Sequence, residues 1–282
     1  MTATAFAPEA LHTTIPVLTP AARRFEPISL LELSIVAANL TRHDRKYVVA
    51  LSHLPAILQS FPRATRILEI EGAHHFPYTS TYLDTLELDS YRLAATRRRR
   101  RFKVRTRNYS NGAAYLEVKT RGQRGLTVKE RIPFDGEHPL SDTSAAFVAD
   151  SFAAAHIDGP NPADLWPALR TSYTRTTFLL PDDDARVTID TDLAFRSLAA
   201  DPASRARRAA APHGGVVELG PLAIVETKAM AATAVDHALW SHGYRPTRIS
   251  KYAAGLIITN PELRPGRWHR TLTHLVPDAL SA

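Results

Sequence analysis

The sequence has no cysteine. Disulfides, thiolate metal sites and cysteine nucleophiles are therefore excluded. A reducing cytoplasm is compatible with that. The chain also has no run of about 18 apolar residues, which excludes a spanning helix. Met1 to Pro20 shows no basic stretch followed by an apolar core, so no secretory signal is expected there. The Gly-Lys-Ser/Thr ending of a Walker sequence is missing. The aromatic motif of RNA-recognition domains is missing too, and no Ser-His-Asp spacing stands out.

What is present points to a folded, basic chain. With 282 residues, 44% of them hydrophobic and 22% charged, it can bury one large core or two small ones. It carries 35 Lys and Arg against 28 Asp and Glu, a net charge of +7. Such a surplus favours an anionic partner: nucleic acid, acidic lipid or phosphate. Residues 1–26 are rich in Ala, Thr and Pro without a period, and read as a flexible tail. The Pro- and Arg-rich stretch 261–282 reads as a second tail, leaving 27–260 as the domain. Ser29-Leu-Leu-Glu32 has capping-box spacing, which predicts a helix running to Leu40. Pro55–Gln59, Asp142–His156 and Ala231–His242 read as further helices, the last ended by Gly243. Between them lie nine or ten candidate strands, from Arg45–Leu51 to Ile224–Lys228. Turn signals such as Asn111-Gly112 and Pro181–Asp184 separate them. The expected fold class is α+β, mostly antiparallel β: a closed or nearly closed β-barrel with flanking helices.

Charge on these strands recurs at every second residue, and successive strand side chains point to opposite faces. In Phe102-Lys-Val-Arg-Thr-Arg107 the cations Lys103, Arg105 and Arg107 share one face with Arg101. Glu117 and Lys119 lie opposite Leu116 and Val118 in the same way. Lys129 and Arg131 alternate with Glu130 and Ile132. Arg186, Thr188 and Asp190 alternate with Val187 and Ile189, and Glu226 and Lys228 with Val225 and Thr227. Arg42, Asp44 and Lys46 share a face near the first strand. A half-solvated sheet explains any one of these strands. The set predicts charged faces turned into a concave side. Cations enclosed there cost several kcal/mol each, on the order of 2–5, unless anions accompany them.

These residues resemble a known family. Asp44-Arg-Lys-Tyr47, Thr81-Tyr-Leu-Asp-Thr85, Phe102–Tyr109, Leu116-Glu-Val-Lys119, Arg170–Phe178, Arg186–Leu193, Val225-Glu-Thr-Lys228 and Ser250-Lys-Tyr-Ala-Ala-Gly255 occur in the order seen in the VTC (vacuolar transporter chaperone) polyphosphate polymerase domain. That domain is one of the CYTH-like triphosphate tunnel metalloenzymes, whose fold is an antiparallel β-barrel tunnel. The resemblance implies transfer of the ATP γ-phosphate to inorganic polyphosphate, with a divalent metal, Mn2+ or Mg2+. It places Lys46, Arg105, Arg107, Lys119 and Arg186 at catalytic positions. Lys103, Lys129, Arg131, Arg175, Lys228 and Lys251 become further phosphate contacts. Glu226 is the metal ligand it implies, with Glu117 and Asp44 as additional candidates. The wider superfamily has Glu-x-Glu-x-Lys on its first strand, where this chain has Arg42, Asp44 and Lys46. That departure fits the polymerase branch better than the triphosphatases, and leaves fewer carboxylates for metal. The alternatives are a tunnel triphosphatase or nucleotide cyclase, and a non-catalytic binder of polyphosphate or nucleic acid.

The implied partners are ATP and polyphosphate, not nucleic acid. The expected place is the cytoplasm, with a membrane-protein partner at the inner face as one route to a membrane. Other signals read more plainly. Arg97–Arg101 is expected to be mainly solvated, since five consecutive strand residues cannot share one face; the alternative is a docking patch for polymer or acidic lipid. Arg121–Gly125 reads as a hairpin turn, and Asp201–Pro212 as an exposed loop. His74-His75 has no third ligand at metal spacing. Tyr82 and Tyr252 read as core, with contact to the adenine base as the alternative. Asp190 and Asp192 are open to a turn-anchoring role.

Overall fold

A computed structural model describes residues 18, 20, 21, 23–37, 43–109, 111–122, 127–134, 136, 140–198, 216–260 and 262–275. In chain order its elements are β1 (Glu26–Ile28), α1 (Leu30–Ala37), β2 (His43–Ala50), α2 (Leu54–Gln59), β3 (Arg66–Leu68), β4 (Phe76–Asp84), α3 (Asp89–Ala95), β5 (Phe102–Tyr109), β6 (Ala114–Arg121), β7 (Thr127–Pro133), α4 (Asp142–Ala154), β8 (Trp166–Leu180), β9 (Ala185–Ser197), β10 (Val217–Glu218), β11 (Leu222–Ala229), α5 (Ala234–Ser241), α6 (Lys251–Thr259) and α7 (His269–Leu275). Two compact units share them. The first takes the described residues up to Phe76, with Tyr173–Leu193 and Gly220–Thr247; the second takes the rest.

In the first unit β11 is the middle strand of an antiparallel trio. It pairs with β2 on one side and β9 on the other. Alternation decides which residues face the core. Tyr47, Val49, Val187, Ile189 and Val225 are buried, and meet Leu54 and Ile57 of α2. Each such side chain contributes about 1.5–3 kcal/mol by leaving water. Leu18 belongs to the same core. Asp236 joins three elements: its carboxylate accepts from Tyr47 Oη at 2.5 Å, Thr227 Oγ1 at 2.7 Å and Thr233 N at 2.8 Å. Thr233 and Asp236 also form the capping box of α5. The capping box expected at α1 is present, with Glu32 N donating to Ser29 Oγ at 3.2 Å and Ser29 N to Glu32 Oε2 at 3.0 Å.

In the second unit β4, β5, β6 and β7 form an antiparallel meander. Its apolar face, with Phe102, Val104, Leu116 and Val118, packs on Val148 and Phe152 of α4. Gly112, at φ +81°, turns β5 into β6, as the Asn111-Gly112 signal predicts. Asp84 is buried at the end of β4. It accepts from the backbone N–H groups of Thr85, Ser90 and Tyr91 and from Tyr252 Oη. It thereby ties the start of α3 to α6. Burial pushes its pKa up to about 6, against the pull of those donors.

The mostly antiparallel sheet with flanking helices agrees with expectation; the closed barrel does not. The strand order is β2-β11-β9-β8-β4-β5-β6-β7, and among the described residues no pairing joins its two ends. β7 is exposed at nearly every position, and β2 carries Asp44 and Lys46 on one face. Charged edges of this kind discourage further pairing. Helices α3, α6 and α7 lie outside the expected set, and β8 and β9 run longer, over 15 and 13 residues. No helix among the described residues is long and apolar enough to cross a membrane. Arg42, the Asp201–Pro212 loop and most of the Arg121–Gly125 turn lie outside the described residues.

Candidate functional site

Each unit carries one charged cluster, built on the strand faces that alternation leaves polar. In the first unit, register sets Lys46 opposite Glu226 and Glu226 opposite Thr188. One step along, Asp44 faces Lys228, and Lys228 faces Arg186. The side chains follow that pattern. Glu226 Oε1 accepts from Lys46 Nζ at 2.6 Å and Lys228 Nζ at 2.9 Å. Lys228 Nζ also lies 2.8 Å from Asp44 Oδ1, so two carboxylates converge on one ammonium. Burial acts to raise the Glu226 pKa. Lys46 and Lys228 outweigh it, and hold the carboxyl well below the usual range. Nearby, Asp190 grips Arg175 with both oxygens, at 2.6 and 2.8 Å. Burial works against the Arg175 charge, and Asp190 more than restores it. Asp190 is therefore not a turn anchor: it stands inside β9 as the counter-ion of Arg175.

In the second unit the polar face of β5–β6–β7 is ordered in rungs. Lys103, Lys119 and Lys129 stand abreast, and so do Arg105, Glu117 and Arg131. Glu117 is 2% exposed. Its Oε2 accepts from Arg105 Nε at 2.8 Å, and Lys129 Nζ lies 2.6 Å from Oε1 with ion-pair distance but without hydrogen-bond alignment. Burial acts to raise the Glu117 pKa, but Arg105, Arg107 and Lys129 bring it down to about 2. Arg105 Nη1 also donates to Tyr82 Oη at 3.2 Å, and Tyr82 stacks on Tyr252 at 4.9 Å. Lys103 Nζ donates to Ser250 Oγ at 2.8 Å, next to Lys251 at the start of α6. Arg131 lies over the Tyr115 ring at 4.7 Å. Arg107 is the telling member. It is 8% exposed, its Nε is 3.9 Å from Glu117 Oε2, and that Nε has no hydrogen-bond acceptor among the described residues. A buried N–H donor left without a hydrogen-bond acceptor costs about 1–3 kcal/mol. An anion would satisfy it.

The expected residues thus fall into two groups. Asp44, Lys46, Arg175, Arg186, Glu226 and Lys228 lie in the first unit, and Lys103, Arg105, Arg107, Glu117, Lys119, Lys129, Arg131 and Lys251 in the second. Three partners escaped sequence reading. Ser250 sits within a motif singled out for its lysine. Tyr82 is buried like a core residue, yet its hydroxyl holds Arg105. Asp84 lies within the motif Thr81–Thr85, which gave it no role. His74 and His75 bond to Glu69 and Thr176, at 3.0 and 2.7 Å.

A divalent metal can be tested against these donors. No group of three or more His, Asp or Glu side chains at metal spacing occurs among the described residues. Hard divalent ions on phosphate substrates need less, since one or two carboxylates suffice when phosphate oxygens and water complete the shell. Glu226 and Asp44, converging on Lys228, fit that mode. Glu117 does not, because Arg105 and Lys129 occupy its two oxygens.

The cation-rich sheet faces of this mostly antiparallel protein, with carboxylates set among them, favour an anionic ligand. The VTC domain family model matches residues 41–260. The chain belongs to this family. No curated protein matches it. Among solved structures it is similar to a protein from Hippeastrum described as a candidate adenylyl cyclase with a dominant triphosphatase activity (TM-score 0.45, 14% identity, 80% of this chain and 99% of that one). It is also similar to a candidate adenylate cyclase from Bacillus halodurans (TM-score 0.44, 12% identity, 74% and 93%). A third is an inorganic triphosphatase (TM-score 0.30, 17% identity, 77% and 96%).

Proposed function

We propose that this chain is a metal-dependent polyphosphate polymerase. It transfers the γ-phosphate of ATP to a growing inorganic polyphosphate chain and releases ADP. The observation that carries the reading, beside membership of the VTC family, is Arg107: a buried guanidinium whose Nε lacks a hydrogen-bond acceptor among the described residues, on the strand face that also carries Arg105 and the Lys103–Lys119–Lys129 rung. Like charges set abreast on a sheet are unfavourable by themselves. They become favourable once phosphates lie across them.

In the reaction a terminal oxygen of the polyphosphate forms a bond to Pγ. The bond from Pγ to the ADP oxygen breaks, and ADP leaves with the electron pair. The attacking phosphate oxygen is already deprotonated near neutral pH, so no protein nucleophile is required. Positioning and charge neutralisation remain as the protein's tasks. Arg105, Arg107, Lys119 and Lys103 hold phosphoryl oxygens in the second unit, with Lys129, Arg131 and Lys251 as further contacts. Glu117 keeps Arg105 and Lys129 aligned. Lys46, Arg186 and Lys228 do the same work in the first unit, where Arg175 is positioned by Asp190. Asp44 and Glu226 would hold the divalent ion, which would supply charge neutralisation to the phosphoryl oxygens.

The test is incubation of the purified chain with ATP and Mn2+, read by a polyphosphate-stained gel and an ADP assay. A polymer ladder matched by ADP is the expected result. Phosphate release from tripolyphosphate without chain growth would replace the polymerase by a triphosphatase. Neither polymer nor ADP would overturn the reading.

A further inference from the structure

The run Arg97–Arg101 plays no part in the clusters above. It occupies the connection from α3 to β5, where the fold gathers further arginines beside it. Arg97 takes a left-handed turn at φ 57°, and its N–H donates to the Ala94 carbonyl at 3.3 Å. Arg267 Nη1 donates to that same carbonyl at 3.1 Å. Arg101 folds its guanidinium onto the Arg98 carbonyl at 2.7 Å. It precedes the Phe102–Thr120 rung, and Arg121 follows that rung on β6. Arg248 lies two residues before Ser250, the partner of Lys103. Arg97, Arg121 and Arg248 are exposed, and Arg101 and Arg267 half-buried.

Among the described residues no carboxylate pairs with this group. Among the described residues none of these five arginines makes an ion pair, and the run's one pair is Arg100 with the exposed Asp158. Burial, then Arg121 and Arg267, lowers the Arg101 pKa; burial, then Arg97 and Arg248, lowers that of Arg267. Cations thus crowd cations. We propose that Arg97, Arg101, Arg121, Arg248 and Arg267 form a second phosphate-polymer site, which holds inorganic polyphosphate beyond the reacting phosphates. The polymer's identity rests on the polymerase reading; the site itself rests on the geometry.

Continuity favours a polyphosphate chain over other polyanions. Position 101 continues the alternation of Arg107, Arg105 and Lys103 along β5, and Arg105 and Arg101 are about 13 Å apart at the usual strand rise. An extended phosphate chain can follow such a stripe. Nucleic acid would want exposed aromatic rings for its bases, and the ring beneath Arg267, Trp268, is 4% exposed.

The test compares the full-length protein with its Arg97→Gln/Arg248→Gln variant. Labelled long-chain polyphosphate and tripolyphosphate are titrated onto both at several salt concentrations, and ADP release is timed. The double variant is expected to bind the long chain about tenfold more weakly, or about 1.4 kcal/mol, with a shallower salt dependence. Tripolyphosphate affinity, melting temperature and initial ADP rate stay unchanged, and polymer products become shorter. Arg97→Lys/Arg248→Lys restores most of the loss. Unchanged long-chain affinity would overturn the site. So would an equal loss for tripolyphosphate, or an equal loss for single-stranded DNA or anionic phospholipid vesicles. Should the protein make neither ADP nor polymer, the polymerase reading falls, and the binding titrations still decide the site.

Discussion

Glu117 and Glu226 show how one residue type takes two roles. Glu117 is enclosed by Arg105 and Lys129, with Arg107 close by, and serves as a fixed counter-ion. Its folded pKa of about 2 lies below the ordinary 4.5, so the folded state favours the charged form. The resulting stability is fully present above pH 4.5 and is lost as pH falls through about 2. The fall from 4.5 to about 2 corresponds to about 3 kcal/mol. Glu117→Gln should therefore unfold at lower urea at neutral pH by about that amount, and should flatten the acid limb of the stability curve. An unchanged acid limb would show that Glu117 is not the group titrating there. Glu226 instead shares Lys228 with the more exposed Asp44. Glu226→Gln keeps the shape and removes the charge. Polymer formation should fall by about 10²–10³, the range for losing one electrostatic contributor to a transition state. Circular dichroism should show the fold retained. Full activity in that variant would remove Glu226 from the reaction.

At the scale of elements, the β5–β6–β7 meander sets cations abreast in rungs. The Lys103–Lys119–Lys129 rung places three ammonium groups on neighbouring strands with one buried carboxylate nearby, Glu117. Without ligand, Lys119→Met should raise stability by about 0.2–1 kcal/mol, the scale of a cross-strand pair. With tripolyphosphate added, the wild type should gain more thermal stability than the variant, because ligand binding stabilises in proportion to affinity. Equal gains in melting temperature would remove Lys119 from the phosphate contacts. Helix α6 matters here too. Ser250 caps it by accepting from Ala253 N, and also receives Lys103. Gly255 lets α6 lie close to its neighbours, since a Cβ there would sit 2.5 Å from Phe195 Cδ1 and 2.6 Å from Leu169 Cδ2. The glycine of the Ser250–Gly255 motif is thus required by packing, and its serine by both a cap and a lysine.

For the whole chain the net charge is +7, and among the described residues cations gather on sheet faces and on the α3–β5 connection. Among the described residues few carboxylates are placed to hold a metal, so on the proposed function a divalent ion would depend on the phosphates it accompanies. Chelation with EDTA should therefore abolish polymer synthesis and leave polyphosphate binding largely intact. Loss of binding together with synthesis would mean that the metal, not the arginines and lysines, carries affinity. The period of two was legible in the sequence because β alternation is local. Val104 against Arg105 or Val225 against Glu226 needs only neighbouring residues. The capping boxes at Ser29 and the turn at Gly112 were legible for the same reason. Helix α6 was not, because Lys251–Thr259 is buried at nearly every position and shows no polar face to set a helical period.

By itself the sequence determined the strand faces, the residue types on them, the basic surplus and the order of motifs that marks the family. These follow from short-range sterics and alternation. Only the tertiary structure decided which charges meet. Register set Lys46 opposite Glu226, the β8–β9 pair joined Arg175 to Asp190, and Asp84 found Tyr252 across 168 positions of chain. The open ends of the sheet belong to the same level. The physical reason is that Coulombic energy depends on distance in space and on burial, and neither is set until long-range pairing and packing have placed the strands.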